Sequence, residues 1–185
     1  MVPVIETFKK LEPSLIAHLQ AHHEDLIKID PKVFEHLIAE FLASSGFTDV
    51  LLVGQNRSTS ADIFAMYFNA WLKIPQTYFI EVKRWKERVG IQVIQQVGGA
   101  MMLERARYGW HAAIIVTIKG CSKLQKWTKR EIELMGIYLK DRNDLLRWLK
   151  DYKQTKSGLW LPNPRTDLRE YQSNRAPLTR VFLDS

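Results

Sequence analysis

Thiol chemistry is nearly absent from this chain, whose single cysteine is Cys121. An intrachain disulfide and a cysteine-based zinc site are both excluded, so a reducing compartment is the expected setting. Long apolar runs are also missing. None approaches the roughly 20 residues of a membrane span, and no basic segment leads into an apolar one at the N-terminus. No membrane partner and a cytoplasmic location are therefore expected. Acidic residues are in the minority, 20 Asp and Glu against 27 Lys and Arg, which gives a net charge of +7. With a pI near 9.5, that balance favours a polyanionic partner such as nucleic acid over an acidic small molecule. What the chain does have is apolar content, 46% of 185 residues. That is enough for one domain with a real core, and the length is too short for two comfortable ones.

From Val4 to about Ile29, the residues Ile5, Phe8, Leu15, Ile16, Leu19 and Leu26 recur at helical spacing around an interruption at Pro13. A kinked or two-piece helix is expected there. His18 and His22 lie one turn apart within it, but no carboxylate or cysteine motif completes a zinc site, and a solvated face is the better reading. Asp30-Pro31 is a strong helix start, with Asp as N-cap and Pro at the first helical position. The helix runs to Ser45, ends at Gly46 and buries Phe34, Leu37, Ile38, Phe41 and Leu42. Glu35 stands near the start of that stripe, where a glutamate also has an ordinary use against the helix dipole.

A strand is expected from Phe47 to Val53, then a polar loop, then a second strand from Ala61 to Phe68 with Asp62 at its beginning, although Asp is a poor strand former. After a loop from Asn69 to Gln76, the stretch Thr77-Tyr-Phe-Ile-Glu-Val-Lys-Arg-Trp-Lys86 reads as a third strand, which closes an antiparallel meander. A helix from Val89 to Tyr108 carries Gln95 and Gln96, and its Gly98, Gly99 and Ala100 would let it lie close to a neighbour. Trp110 to Ile118 reads as a central strand covered on both faces. It is followed by a helix from about Ser122 to Met135, a strand Gly136 to Leu139, and a helix from Asp141 or Asn143 to Tyr152. Strand, helix, strand, helix is the rhythm of parallel crossovers. The expected class is α/β: a mixed sheet, three-stranded antiparallel meander plus parallel crossover strands, flanked by helices. One domain is expected over 1–185, with a core of about 31–150, a helical segment at 1–30 and an irregular tail at 156–185.

The third strand holds the unusual chemistry. Successive side chains on a strand point to opposite faces, so Phe79, Glu81 and Lys83 share one and Tyr78, Ile80, Val82 and Arg84 the other. A carboxylate and an ammonium side by side on a mostly apolar strand are costly to desolvate unless paired or bound to an ion. Such a pair suits phosphodiester chemistry, although Glu-x-Lys alone is most often a weak surface ion pair.

The order of the chain sharpens this: a glutamate on the first core helix, an aspartate opening the second strand, Glu-x-Lys on the third, then a glutamine-bearing helix. The matching residues are Phe34-Glu35 with Leu37-Ile-Ala-Glu-Phe-Leu42 behind it, Gly46-Phe47, Ser60-Ala61-Asp62-Ile63, Glu81-Val82-Lys83-Arg84-Trp85 and Val93-Ile-Gln-Gln-Val-Gly-Gly-Ala100. On these the chain resembles the PD-(D/E)xK nuclease superfamily, and more closely the Mrr-like restriction endonuclease catalytic domain, over about Pro31 to Leu149. Two departures stand out. Ala61 replaces the proline of the family's name, and nothing before Pro31 is long enough to be a separate DNA-recognition domain.

The resemblance implies a restriction-endonuclease-like fold and a magnesium-dependent endonuclease that hydrolyses DNA phosphodiester bonds, with manganese able to substitute and no organic cofactor. It implies that Asp62, Glu81 and the backbone carbonyl of Val82 are the metal's hard oxygen ligands, with Glu35 in support directly or through water. Lys83 would act on the nucleophilic water or the developing charge, and Gln95, in preference to Gln96, would position water or the backbone. DNA contacts are expected from Arg84, Trp85, Lys86, Arg88 and Arg57, and from Lys123, Lys126 and Arg130 within a basic cluster, largely on one side of the helix after the central strand, that also includes Lys119 and Lys129. A solvated basic face is the competing reading of that cluster. A Holliday-junction or repair nuclease of the same superfamily shares this pattern, and a catalytically silent nucleic-acid-binding module is the alternative from another class. A homodimer is expected, with residues 1–30 and the tail bearing Trp160, Leu161, Val181 and Phe182 as interface elements.

Overall fold

A five-stranded mixed sheet, its strands side by side in chain order, separates two apolar layers. The computed structural model describes residues 15–53, 60–83, 88–122 and 128–151. The elements are a helix α1 over 15–21 and a 3-10 helix His23–Lys28, then α2 Pro31–Ser44, β1 Thr48–Leu52, β2 Ile63–Asn69, β3 Ile74–Lys83, α3 Ile91–Tyr108, β4 Trp110–Thr117, α4 Lys129–Leu134, β5 Ile137–Lys140 and α5 Arg142–Asp151. β1, β2 and β3 pair antiparallel, whereas β3, β4 and β5 pair parallel. The expected meander and crossovers are thus both present. Among the described residues the middle strand is β3 and not Trp110 to Ile118 as expected, because β5 lies outside β4 at the edge of the sheet.

α2 forms where its local signals place it. Pro31 occupies the first turn, the Asp30 side chain accepts from the Lys32 amide at 2.9 Å, and Gly46 leaves the helix at φ 92°. Its stripe of Phe34, Leu37, Ile38, Phe41 and Leu42 is buried against Ile63, Ile80, Val82, Ile114 and Val116 of the sheet and Leu145 and Leu149 of α5. Truncating Phe34 or Phe41 to alanine there would cost about 3–5 kcal/mol. On the opposite side α3 and α4 cover Phe64, Phe79, Ala113, Ile115, Ile137 and Leu139. In that layer Trp110 sits 5.4–5.6 Å from the rings of Phe64, Phe79 and Tyr108. β4 is buried along its length except at His111, as its unbroken apolar run predicts.

Three boundaries differ from expectation, each for a local reason. The N-terminal helix, within its described part, stops at 21: His22 leaves helical geometry at φ −131° and ψ 65°, and the chain tightens into the 3-10 turn where His18 meets Asp25 at 2.8 Å. The loop expected from Asn69 to Gln76 shrinks to a tight hairpin. The Asn69 side chain accepts from the amides of Trp71 and Leu72, Lys73 turns the chain at φ 56°, and β3 starts at Ile74. Pro75 is tolerated because β4 joins only at Thr77, leaving one side of β3 unpaired there. Ser122, expected to open a helix, instead donates its amide to Val89 beside the Val89–Cys121 bridge. α4 begins at Lys129 behind a capping box in which Thr128 and Glu131 exchange bonds. Among the described residues no helix is long and apolar enough to cross a membrane.

Candidate active site

Asp62 stands just before β2, where antiparallel register brings the start of β2 beside the end of β3. Its backbone is held on both sides: the amide donates to Ile80 at 3.0 Å and the carbonyl accepts from Val53 at 3.0 Å. Its carboxylate Oδ2 takes the Val82 amide at 2.7 Å. The propensity of Asp to capture backbone amides, which makes it a poor strand residue, is what seats it here. Val82 turns its own side chain into the core beneath α2, so only its backbone is available to the site.

Alternation along β3 sets Glu81 and Lys83 on the opposite side of the sheet from Ile80 and Val82, as expected. The Lys83 ammonium is bonded to Glu81 Oε1, and the two side chains are only 17% and 12% exposed. This is a sheltered pair, unlike the solvated surface bridge that Glu-x-Lys most often forms.

Electrostatics ties a third acid to them. Burial pushes the Glu35 carboxyl up to about 7, assisted by the charges of Asp62, Asp30 and Glu81 and opposed by Lys32. Burial raises Asp62 as well, against the Val82 amide and Lys83. Glu81 is raised by burial and by Asp62, against its bond to Lys83. Glu35 from α2, Asp62 from the threshold of β2 and Glu81 from β3 thus share one electric field at one end of the sheet.

Hard carboxylate oxygens that repel one another are a donor set suited to magnesium. Among the described residues no group of three His, Cys, Asp or Glu side chains is gathered closely enough to enclose an ion. Magnesium usually takes only one or two carboxylates and completes its shell with water and phosphate oxygens, so Asp62 and Glu81, which act on each other electrostatically, are the residues that would hold it.

The remaining expected residues are less tightly placed. Gln95 and Gln96 are both exposed on α3, between buried Ile94 and Val97. Arg88 and Arg130 are exposed. Arg57, Arg84, Trp85, Lys86, Lys123 and Lys126 lie outside the described residues. One support was not foreseen: Glu104 of α3 accepts from both the amide and the hydroxyl of Ser60 at 2.9 Å, and from the Trp110 indole at 3.4 Å. That clamp fixes the chain two residues before Asp62. Ser60 and Glu104 are 44 residues apart, and no local pattern announces their meeting.

A family model described as restriction endonuclease matches residues 26–149. No curated protein and no solved structure matches the chain.

Proposed function

Since the chain belongs to the restriction endonuclease family, and is to that extent a nuclease, we propose that it is a magnesium-dependent endonuclease that hydrolyses phosphodiester bonds of DNA. The observation that carries this reading is the set of three carboxylates, Glu35, Asp62 and Glu81, that act on one another electrostatically, with Lys83 opposing Asp62 and bonded to Glu81. Such a group is electrostatically unfavourable without a cation, and perturbed carboxylates beside a lysine are more common at reaction centres than in structural networks.

In this reading Asp62 and Glu81 hold the cation together with the Val82 carbonyl, and Glu35 assists directly or through water. Bound magnesium, or manganese in its place, supplies charge neutralisation at the phosphate and a more acidic water. Asp62 is pre-set for its part, since the Val82 amide fixes one of its two carboxylate oxygens. Lys83 releases its bond to Glu81 in favour of the attacking water or the phosphate oxygens, where an ammonium stabilises the charge that develops in the transition state. Gln95 orients water or backbone beside them. Exposed Arg88 and Arg130, with Arg57, Arg84, Trp85, Lys86, Lys123 and Lys126, supply contacts to backbone phosphates that carry little sequence information.

The test is a supercoiled plasmid incubated with protein and magnesium, with and without chelator, alongside Asp62→Asn. Nicked or linear DNA should form only with the unaltered protein and free magnesium. Asp62→Asn should fold normally, since it removes a repelling charge and keeps an oxygen for the Val82 amide. Cleavage that persists in that variant, or in chelator, would defeat the assignment.

A further inference from the structure

β4 ends its aliphatic run Ala112-Ala-Ile-Ile-Val116 with a hydroxyl, that of Thr117, which is 0% exposed. Its Oγ1 has no hydrogen-bond partner among the described residues. A valine of the same shape would fill that place without burying an unsatisfied oxygen. The position gives the oxygen a use. Parallel register sets Phe79 beside Ala113, Glu81 beside Ile115 and Lys83 beside Thr117. Ala113 and Ile115 face the α3 side, while Ile114, Val116 and Ile118 face α2. Thr117 therefore shares the α3 side with Glu81 and Lys83, one strand away, at an inter-strand spacing of about 4.8 Å.

The Lys83 ammonium is bonded to Glu81 in this structure. Once Glu81 is committed to a cation, the ammonium has to be held by other acceptors, and it carries three donors to distribute. We propose that Thr117 is a positioning residue for Lys83: in the DNA-bound state its hydroxyl accepts a hydrogen bond from the ammonium and holds it against the site. This inference rests on the nuclease reading above and extends it to a residue outside the acidic motif.

Thr117→Val and Thr117→Ser, each measured by thermal melting and by cleavage of a duplex oligonucleotide under varied substrate, test it together. Valine should melt at the same temperature as the unaltered protein or higher, yet turn over roughly tenfold more slowly with KM unchanged. Serine keeps the oxygen and loses a methyl group, so it should melt lower yet cut at close to the original rate. A merely structural threonine would not separate stability from turnover in this way. Valine cutting at full rate, serine as slow as valine, or valine melting several degrees lower would each overturn the inference. If the unaltered protein cuts no DNA, the nuclease reading falls and this inference with it; if it cuts and valine cuts equally well, only the role of Thr117 falls.

Discussion

Glu35 couples the candidate site to pH. Its carboxyl, ordinarily near 4.5, is pushed up to about 7 in the folded chain, so between those values the folded state holds a proton that the unfolded state has lost. The stability this contributes is complete below about 4.5 and is lost as pH rises through 7. For a partly solvated group the loss should be on the order of 2 kcal/mol between pH 5 and 8. Denaturant unfolding should show that decline, Glu35→Gln should flatten it, and millimolar magnesium should restore stability at the alkaline end. A flat profile in the unaltered protein would remove Glu35 from the cluster. Lys83 invites the complementary test. Under the proposed mechanism, in which the lysine acts on the transition state and not on binding, Lys83→Met should reduce turnover by orders of magnitude while DNA affinity barely changes. The same variant strips Glu81 of its opposing charge, so the Glu81 carboxyl should titrate higher still, which NMR titration would register. Loss of affinity in proportion to turnover would make Lys83 a phosphate contact instead.

Elements built on local signals were legible in the sequence, and those depending on distant partners were not. α2 announces itself through Asp30, Pro31, its apolar stripe and Gly46, all within 17 residues of one another, and it lies where expected. β3 declares its faces by alternation. The four charged residues of the candidate site could be singled out because each occupies a recognisable place on or beside such an element. Other features required the fold. That Asp62 captures the Val82 amide depends on the register of β2 against β3, that Glu104 holds Ser60 depends on how α3 lies on the sheet, and that Thr117 stands beside Lys83 depends on the parallel pairing of β4. The start of α4 was hidden by a basic stretch without helical periodicity, where only the Thr128 and Glu131 pair marks the boundary. α3 shows how an element can be read correctly and explained in part. Gly98 does approach a neighbour, since a Cβ there would meet Ile137 Cδ1 at 3.4 Å, but a Cβ on Gly99 would meet nothing within 4 Å among the described residues. Close packing therefore does not account for Gly99. Gly99→Ala should stabilise the helix by about 1 kcal/mol and raise the melting temperature by roughly 2–4 °C, with cleavage unchanged. A fall in melting temperature would show that something covers this face of α3.

For the whole molecule, the acidic site and the basic chain pull in opposite directions, and the balance sets how it meets DNA. Three carboxylates at the site repel phosphate, whereas the net charge of +7 attracts it, so affinity should come from surrounding cations and fall as salt rises. Attraction of that kind brings one active site to one phosphodiester. Cutting both strands of a duplex requires two antiparallel phosphodiesters to be attacked, and a site with a single acid–lysine group reaches one at a time. A two-fold symmetric dimer presents two equivalent sites to the two strands, and closed two-fold symmetry is the commonest oligomeric arrangement. A homodimer is thus the proposed working state, with a mass in light scattering of about twice the 21.6 kDa of one chain. Mixing the unaltered protein with an excess of Asp62→Asn before adding plasmid should then yield mixed dimers with one working site, and nicked circles should accumulate in place of linear DNA. A mass of one chain at micromolar concentration, or a product pattern unaltered by the inactive subunits, would mean that each copy works alone and makes double-strand breaks by two separate nicks.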